Sequence, residues 1–357
     1  MYARDLAVRL LQFGHTPILY STQLGDIARE IRAKTVSVTD NLNSVSTPPD
    51  IIHGHHALET ATALLHFPQT PAIQTIHGNL GFLSSPPKFT RIRRYLPVDN
   101  TCRDRLINEF GLEEERVRVI LNSFDLNRFA QRAALPPRPR RALIFSNLTD
   151  LHFKAVQAAC EQTRIELDVI GADTNICSNP EEVLPQYDLV FAKARCALEA
   201  LAVGAAVILC DYHGLGPMVT TGELDRLRAL NFGHRTLCNE LSADLIINEI
   251  NRYDAIDAAK VSRRIRSTAS LDSMVYELVA IYQEALAEYK QTDGIDAESE
   301  SRETAEFLRW LSIQTHSNPS GRAALKTVLS RIPILNSPEV TERILRVASK
   351  VSAARNR

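Results

Sequence analysis

Short apolar runs alternate with helical periodicity along most of this chain, and few architectures accept that alternation. Thr16 to Tyr20, Thr35 to Val38, Asp50 to His53, Pro71 to Ile76 and Val117 to Leu121 read as strands separated by helices. After the proline-rich stretch from Leu135 to Pro139 the alternation resumes with Ala142 to Ser146, Leu167 to Ile170, Asp188 to Phe191 and Ala206 to Leu209. Parallel neighbours need a long crossover, usually a helix, so this rhythm predicts an α/β chain with parallel sheets. The 357 residues are enough for two such units with a cleft between them. We divide the chain into 1–135, 140–270, a closing helix over 271–290 expected to complete the second unit, and a polar linker with a loose helical tail over 291–357.

A doubly wound domain ordinarily starts on a strand that ends up in the middle of its sheet. This sequence starts inside a helical pattern, Tyr2 to Phe13, with Leu6, Leu10 and Phe13 on one face. The expectation is therefore that an apolar strand and a glycine-containing loop belong ahead of Tyr2. Without them the remaining strands would carry two unpaired edges at the centre of the domain.

Composition narrows the functions open to the chain. A formal net charge of -1 with 23% charged residues gives no basic footprint for nucleic acid. The six cysteines form no Cys-x-x-Cys pair, which argues against a zinc knuckle or a disulfide framework and for reduced thiols in a cytoplasm. The most apolar run, Ala200 to Cys210, is too short to span a bilayer, and Met1 opens an amphipathic rather than a signal-like segment. Arg343, Arg346, Lys350, Arg355 and Arg357 in the tail lie among apolar residues and could rest on an anionic membrane, a peripheral contact with the inner membrane; a solvated helical face is the plainer reading.

Asp50–His56, Pro71–Gly78, Val119–Asp125 and Tyr187–Asp211, in chain order, resemble segments of glycosyltransferase family 4. Asp50-Ile-Ile-His-Gly-His-His56 is similar to that family's strand ending in histidines at the cleft, and Pro71-Ala-Ile-Gln-Thr-Ile-His-Gly78 to its next strand and cleft histidine. Val119-Ile-Leu-Asn-Ser-Phe-Asp125 resembles its Asn-Gly-Val-Asp turn. The longest match, Tyr187 to Asp211, resembles its donor-site strand, helix and following strand. The resemblance implies a GT-B fold, two facing Rossmann-like domains, with 1–135 on the acceptor side and 140–270 holding a nucleoside diphosphate sugar. It implies sugar transfer with retention, no metal and no cofactor beyond the nucleotide-sugar substrate. The acceptor, whether glycan, lipid or small molecule, is left open. Two alternatives stand beside it: a non-catalytic GT-B protein that binds a nucleotide sugar or a partner, and a nucleotide-sugar epimerase, because fold alone does not fix chemistry.

The resemblance also assigns candidate residues, each with a bland alternative. Glu199 matches the second of the family's paired glutamates, the one on the ribose hydroxyls, whereas Phe191 stands where the first is expected. A lone Glu more often points to solvent, but an apolar run such as Ala197 to Ala202 calls for a partner. His77 ends a strand before Gly78 and would sit beside the transferred sugar; the alternative is a loop histidine. His55, Asn122 and Asp125 are read as cleft lining, with His53 and His56 as packing or surface residues and no metal site among them. Lys193 and Arg195 flank the start of the helix carrying Glu199 and are read as diphosphate cations, standing in for the basic residues the family carries near Ser146 and Asn147, with Lys154 as a substitute. Gly214 and Gly216 are read as a place where backbone approaches the donor.

Overall fold

The computed structural model describes residues 2–78, 84–146, 153–171, 177, 179–292 and 296–317. Helix α1 (Tyr2–Gln12) leads into β1 (Ile18–Tyr20), α2 (Asp26–Ala33), β2 (Ser37–Thr39), β3 (Ile52–Gly54), α3 (Ala57–His66), β4 (Ala72–Ile76), β5 (Ile92–Pro97) and α4 (Asn100–Asn108). The second half follows as β6 (Arg141–Phe145), α5 (Phe153–Thr163), β7 (Glu166–Ile170), α6 (Pro180–Val183), β8 (Leu189–Ala192), α7 (Ala194–Val203) and β9 (Ala206–Asp211). Then come β10 (Gly214–Met218), α8 (Leu224–Ala229), α9 (Ala243–Ile250), α10 (Ala255–Thr268), α11 (Leu271–Lys290) and α12 (Ala297–Ser317).

The second half builds one sheet in the order β10-β9-β8-β6-β7, parallel except for β10. Its first strand, β6, lies between β7 and β8, so the winding reverses there and the carboxyl ends open a crevice where such sheets receive ligands. Apolar cores cover both faces, one built with α7 and α10 and the other with α5 and α9. Burial on both faces explains why β8 and β9 read as continuous apolar runs rather than alternating ones. The segment of Gly214 and Gly216 was read as a place where backbone approaches the donor. It is instead a tight antiparallel return in which Gly214 pairs with Asp211.

In the first half, β3, β4 and β5 form one parallel sheet and β1 and β2 another. Among the described residues no ladder joins β1 to β3, and each has a single strand neighbour. Strand β5 was missed in the sequence because Arg93 and Arg94 interrupt its apolar pattern; both arginines meet Glu288 on α11. The expected strand at Val117 to Leu121 reduces to an extended segment along β5, with one bridge between Tyr95 and Val117.

Two further expectations are corrected. Helix α11 covers the first half, not the second. Its Met274, Val275, Leu278 and Ile281 share a core with Leu6, Ile73, Leu96 and Ile120. The chain is turned back by Ser270, which caps α11, and by Leu271 N–H donating to the Phe124 carbonyl. Helix α12, expected to be part of a loose tail, docks on the same half: Phe307 and Leu311 are buried, and the Phe307 ring lies 5.9 Å from that of Phe89. Glu300 pairs with Arg91, which is itself buried among the carbonyls of Leu64, Phe67 and Thr70. The basic residues from Arg343 to Arg357 lie outside the described residues.

Candidate functional site

The carboxyl ends of β3 and β4 carry histidines side by side. Gly54 lets α3 start directly behind β3, since any side chain there would collide with Thr60. His53 Nδ1 lies 2.7 Å from Tyr282 Oη and Nε2 2.7 Å from Thr75 Oγ1, which fixes the ring. His53 stacks on His55, and His55 on His77, with His55 Nδ1 2.9 Å from His77 Nε2. The Tyr2 ring meets both His55 and His77 edge-on. Burial pushes His53 down to about 3 and His55 well below the ordinary imidazole value, each further lowered by neighbouring imidazoles. His77 moves the same way, through crowding on its protein side and the nearby His56 and Arg195. Its ring opens on the cleft, and the shift favours the neutral imidazole. No group of three or more His, Cys, Asp or Glu among the described residues is arranged to hold a metal ion.

Facing the histidines is the start of α7. Glu199 is 4% exposed, one turn into that helix. Burial raises its carboxyl above the usual range, opposed by Arg195 and Arg128. Arg195 Nε donates to Glu199 at 2.8 Å, and another of its nitrogens donates to Asp5 on α1 at 2.5 Å. Burial works against the Arg195 charge, yet Glu199 and Asp5 hold it above its ordinary value. Lys193 pairs with Asp211, whose carboxyl stays below its usual range because Lys193 and the His213 N–H outweigh its burial. Both expected diphosphate cations therefore already face carboxylates.

A cleft of about 340 Å³ joins these groups, lined by Tyr2, His77, Asn122, Lys193 and Arg195, and by Asp99, Asn231, Gly233 and His234. His77, Asn122, Lys193 and Arg195 are thus brought together on one cleft, and His55 and Glu199 stand directly behind them. Asp125 does not line the cleft; it closes its own turn on the Asn127 N–H and pairs with Arg9. Gly214 and Gly216 lie in β10 with their open faces against the carbonyls of Asn239 and Thr236, so the close backbone approach is to the chain itself. Phe191 is fully buried in the sheet and does not face the cleft. Ser146 N–H donates to Ile170 and Lys154 is exposed on α5, while Asn147 lies outside the described residues.

Sequence reasoning missed two parts of this wall. Asp99 caps α4 by accepting from the Cys102 N–H, and burial raises its carboxyl. Asn231 and Phe232 both adopt left-handed backbone, at φ 50 and 54, and the Phe232 carbonyl accepts from the Ala194 N–H at the start of α7. A buried phenylalanine in that conformation is strained, a common mark of functional loops. The only sequence signal for it was an Asn-Phe-Gly triplet in a polar stretch.

Residues 1–128 match the family Glycosyltransferase Family 4. No curated protein matches the chain. Among solved structures, a glycosyltransferase from Rickettsia africae ESF-5 is similar with a TM-score of 0.58 at 15% identity, covering 79% of this chain and 93% of its own. A glycosyltransferase of avilamycin A biosynthesis gives 0.47 at 14% identity, covering 79% and 88%. A UDP-N-acetylglucosamine 2-epimerase gives 0.46 at 13% identity, covering 83% and 96%. No helix among the described residues is long and apolar enough to cross a membrane. The chain is thus glycosyltransferase family 4-like, matching that family over residues 1–128 and folded over both halves as a GT-B protein.

Proposed function

We propose that the cleft transfers a sugar from a nucleoside diphosphate sugar to an acceptor hydroxyl, with retention at the anomeric carbon. The observation that carries this reading is a neutral imidazole, His77, meeting Lys193 and Arg195 from the opposite half on one cleft, with the buried carboxylate Glu199 directly behind Arg195. Glu199 would accept from the ribose hydroxyls, sharing its oxygens with Arg195. Lys193 and Arg195 would face the diphosphate across the start of α7. In the transfer the bond from C1 to the diphosphate oxygen breaks, the acceptor oxygen bonds to C1, and the acceptor proton passes to the departing diphosphate. His77, neutral near pH 7, offers a hydrogen bond to sugar hydroxyls as positive charge develops on the ring, without adding a repelling cation. No cofactor is required.

The test is release of nucleoside diphosphate from a panel of UDP-, GDP- and ADP-sugars with glycan, lipid and small-molecule acceptors. Product formation with the anomeric configuration kept is expected; hydrolysis or transfer absent from every pairing would sink the reading. A second reading rests on Phe191, fully buried where the family resemblance places a sugar-binding glutamate. It makes the chain a nucleotide-sugar binding protein without transferase activity, and predicts donor binding with no turnover in the same panel.

A further inference from the structure

Arg228 ends α8 immediately behind the cleft wall. One of its nitrogens donates to Asn231 Oδ1 at 3.2 Å and another to the Asn122 carbonyl, and both asparagines line the cleft. The other cations around the cleft face carboxylates: Arg195 meets Asp5 and Glu199, Lys193 meets Asp211, and Arg128 meets Glu181. Among the described residues Arg228 hydrogen-bonds to neutral groups, Asn231 and the Asn122 carbonyl. Burial lowers it to about 10, with no carboxylate among the described residues raising it again. Arg228 is half-buried, and a cation drawn out of water without a counter-charge weakens a fold unless something offsets it.

The loop in front of Arg228 has the geometry to make use of that charge. A guanidinium can only donate, so the atom of Asn231 that faces it is the oxygen, and the amide nitrogen is the end left to meet the cleft. Asn231 is held in this pose by the strained left-handed pair Asn231-Phe232, whose carbonyl end is tied to the start of α7. Glycine at either place would relax the strain but would remove the amide or the buried ring. Asp99, the acid that lines this cleft, has one oxygen committed to capping α4 and the other beside Gly233.

We propose that Arg228 and the Asn231 amide form an anion site at this corner of the cleft, which takes a phosphate group: the diphosphate of a nucleotide donor or the phosphate of a phosphorylated acceptor. The inference rests on the same cleft being a ligand site and supplies the uncommitted positive charge that Lys193 and Arg195, already paired, do not.

The test is calorimetry with inorganic pyrophosphate, UDP, GDP, the matching nucleosides and glucose 1-phosphate, on the parent, Arg228→Met and Asn231→Asp, together with melting temperatures. Asn231→Asp keeps the side-chain shape and tolerates the left-handed backbone, but gives Arg228 a carboxylate, so it serves even if Arg228→Met does not fold. Expected are a tenfold or greater loss of pyrophosphate and nucleoside diphosphate affinity in both variants, unchanged nucleoside affinity, and a ligand-free melting temperature at or above the parent's. Glucose 1-phosphate binding lost in the variants while UDP and GDP binding stays intact would support the site and assign it to the acceptor. Affinities for every phosphate-bearing probe equal to the parent's, or a parent that binds none of them, would overturn the proposal. Pyrophosphate binding that needs Arg228, in a chain that transfers no sugar, keeps this site and removes the transferase reading; transfer with donor KM and acceptor KM both unchanged in Asn231→Asp does the reverse.

Discussion

Glu199 shows how much a single carboxylate can be asked to do. It is buried on α7, raised by that burial, and kept useful by Arg195 one turn before it. Glu199→Gln keeps the shape and removes the charge-assisted acceptor, so donor affinity should fall by roughly 1.5–3 kcal/mol, with Arg195 still held by Asp5. Calorimetry with the active nucleotide sugar checks this, and an affinity equal to the parent's takes Glu199 out of the donor site. His77 predicts a different split. A neutral ring that acts mainly as charge develops should, on His77→Ala, lower kcat by roughly 10–100-fold and move the donor dissociation constant far less. If kcat stays at the parent level, His77 is a wall residue and nothing more.

At the scale of elements, the ends of β3 and β4 hold their histidines neutral, and this has a signed consequence for pH. An unfolded chain binds protons on these rings near pH 6.5, whereas folded His53 resists until about pH 3. Between those values the unfolded state binds more protons, so stability rises with pH across the window and is lost as pH falls from 6.5, by at most roughly 1.4 kcal/mol per pH unit for one ring. Urea midpoints between pH 4.5 and 7.5 should show a steeper slope for the parent than for His53→Asn; parallel slopes would mean that His53 titrates as in the unfolded chain. Helix α12 gives the second prediction at this scale. Glu300→Gln leaves the buried Arg91 without its carboxylate but with three carbonyl acceptors, so the cost should be roughly 1.5–3 kcal/mol, read as a lower urea midpoint. An unchanged midpoint would reduce the strap to surface decoration. These elements also mark what the sequence could and could not reveal. Strands β6, β8 and β9 were legible because burial on both faces leaves an unbroken apolar run. Strand β5 was not, because its arginines answer Glu288 from a helix nearly two hundred residues away (|i−j|=194 for Arg94). The histidines and α7 were singled out through the resemblance of their segments to the family, whereas Asn231, with Arg228 behind it, reaches the cleft through a strained turn that periodicity does not encode.

For the whole molecule, the question is what holds two halves at the right separation around a cleft. Asp5 on α1 accepts from Arg195 on α7 and also faces Arg128, so the chain of charges Asp5, Arg195 and Glu199 crosses from the first half to the second at the cleft floor. That chain serves two ends that conflict. It joins the halves, and it neutralises a cation that a diphosphate would otherwise meet. Asp5→Asn separates them: the side chain keeps its size and can still accept one bond, but Arg195 then answers Glu199 alone and the cleft gains one positive charge. A unit charge acting over about 8 Å in a medium of effective dielectric about 20 is worth about 2 kcal/mol before salt screening, and cleft water and ions remove part of it. Nucleoside diphosphate affinity should therefore rise about three- to tenfold at low ionic strength, with the gain shrinking as salt is added, while the melting temperature falls because the bond between halves is weaker. A melting temperature that falls with affinity unchanged or reduced at every salt concentration would show that Asp5 is needed to aim Arg195, and that orientation rather than net charge governs how this cleft meets an anion.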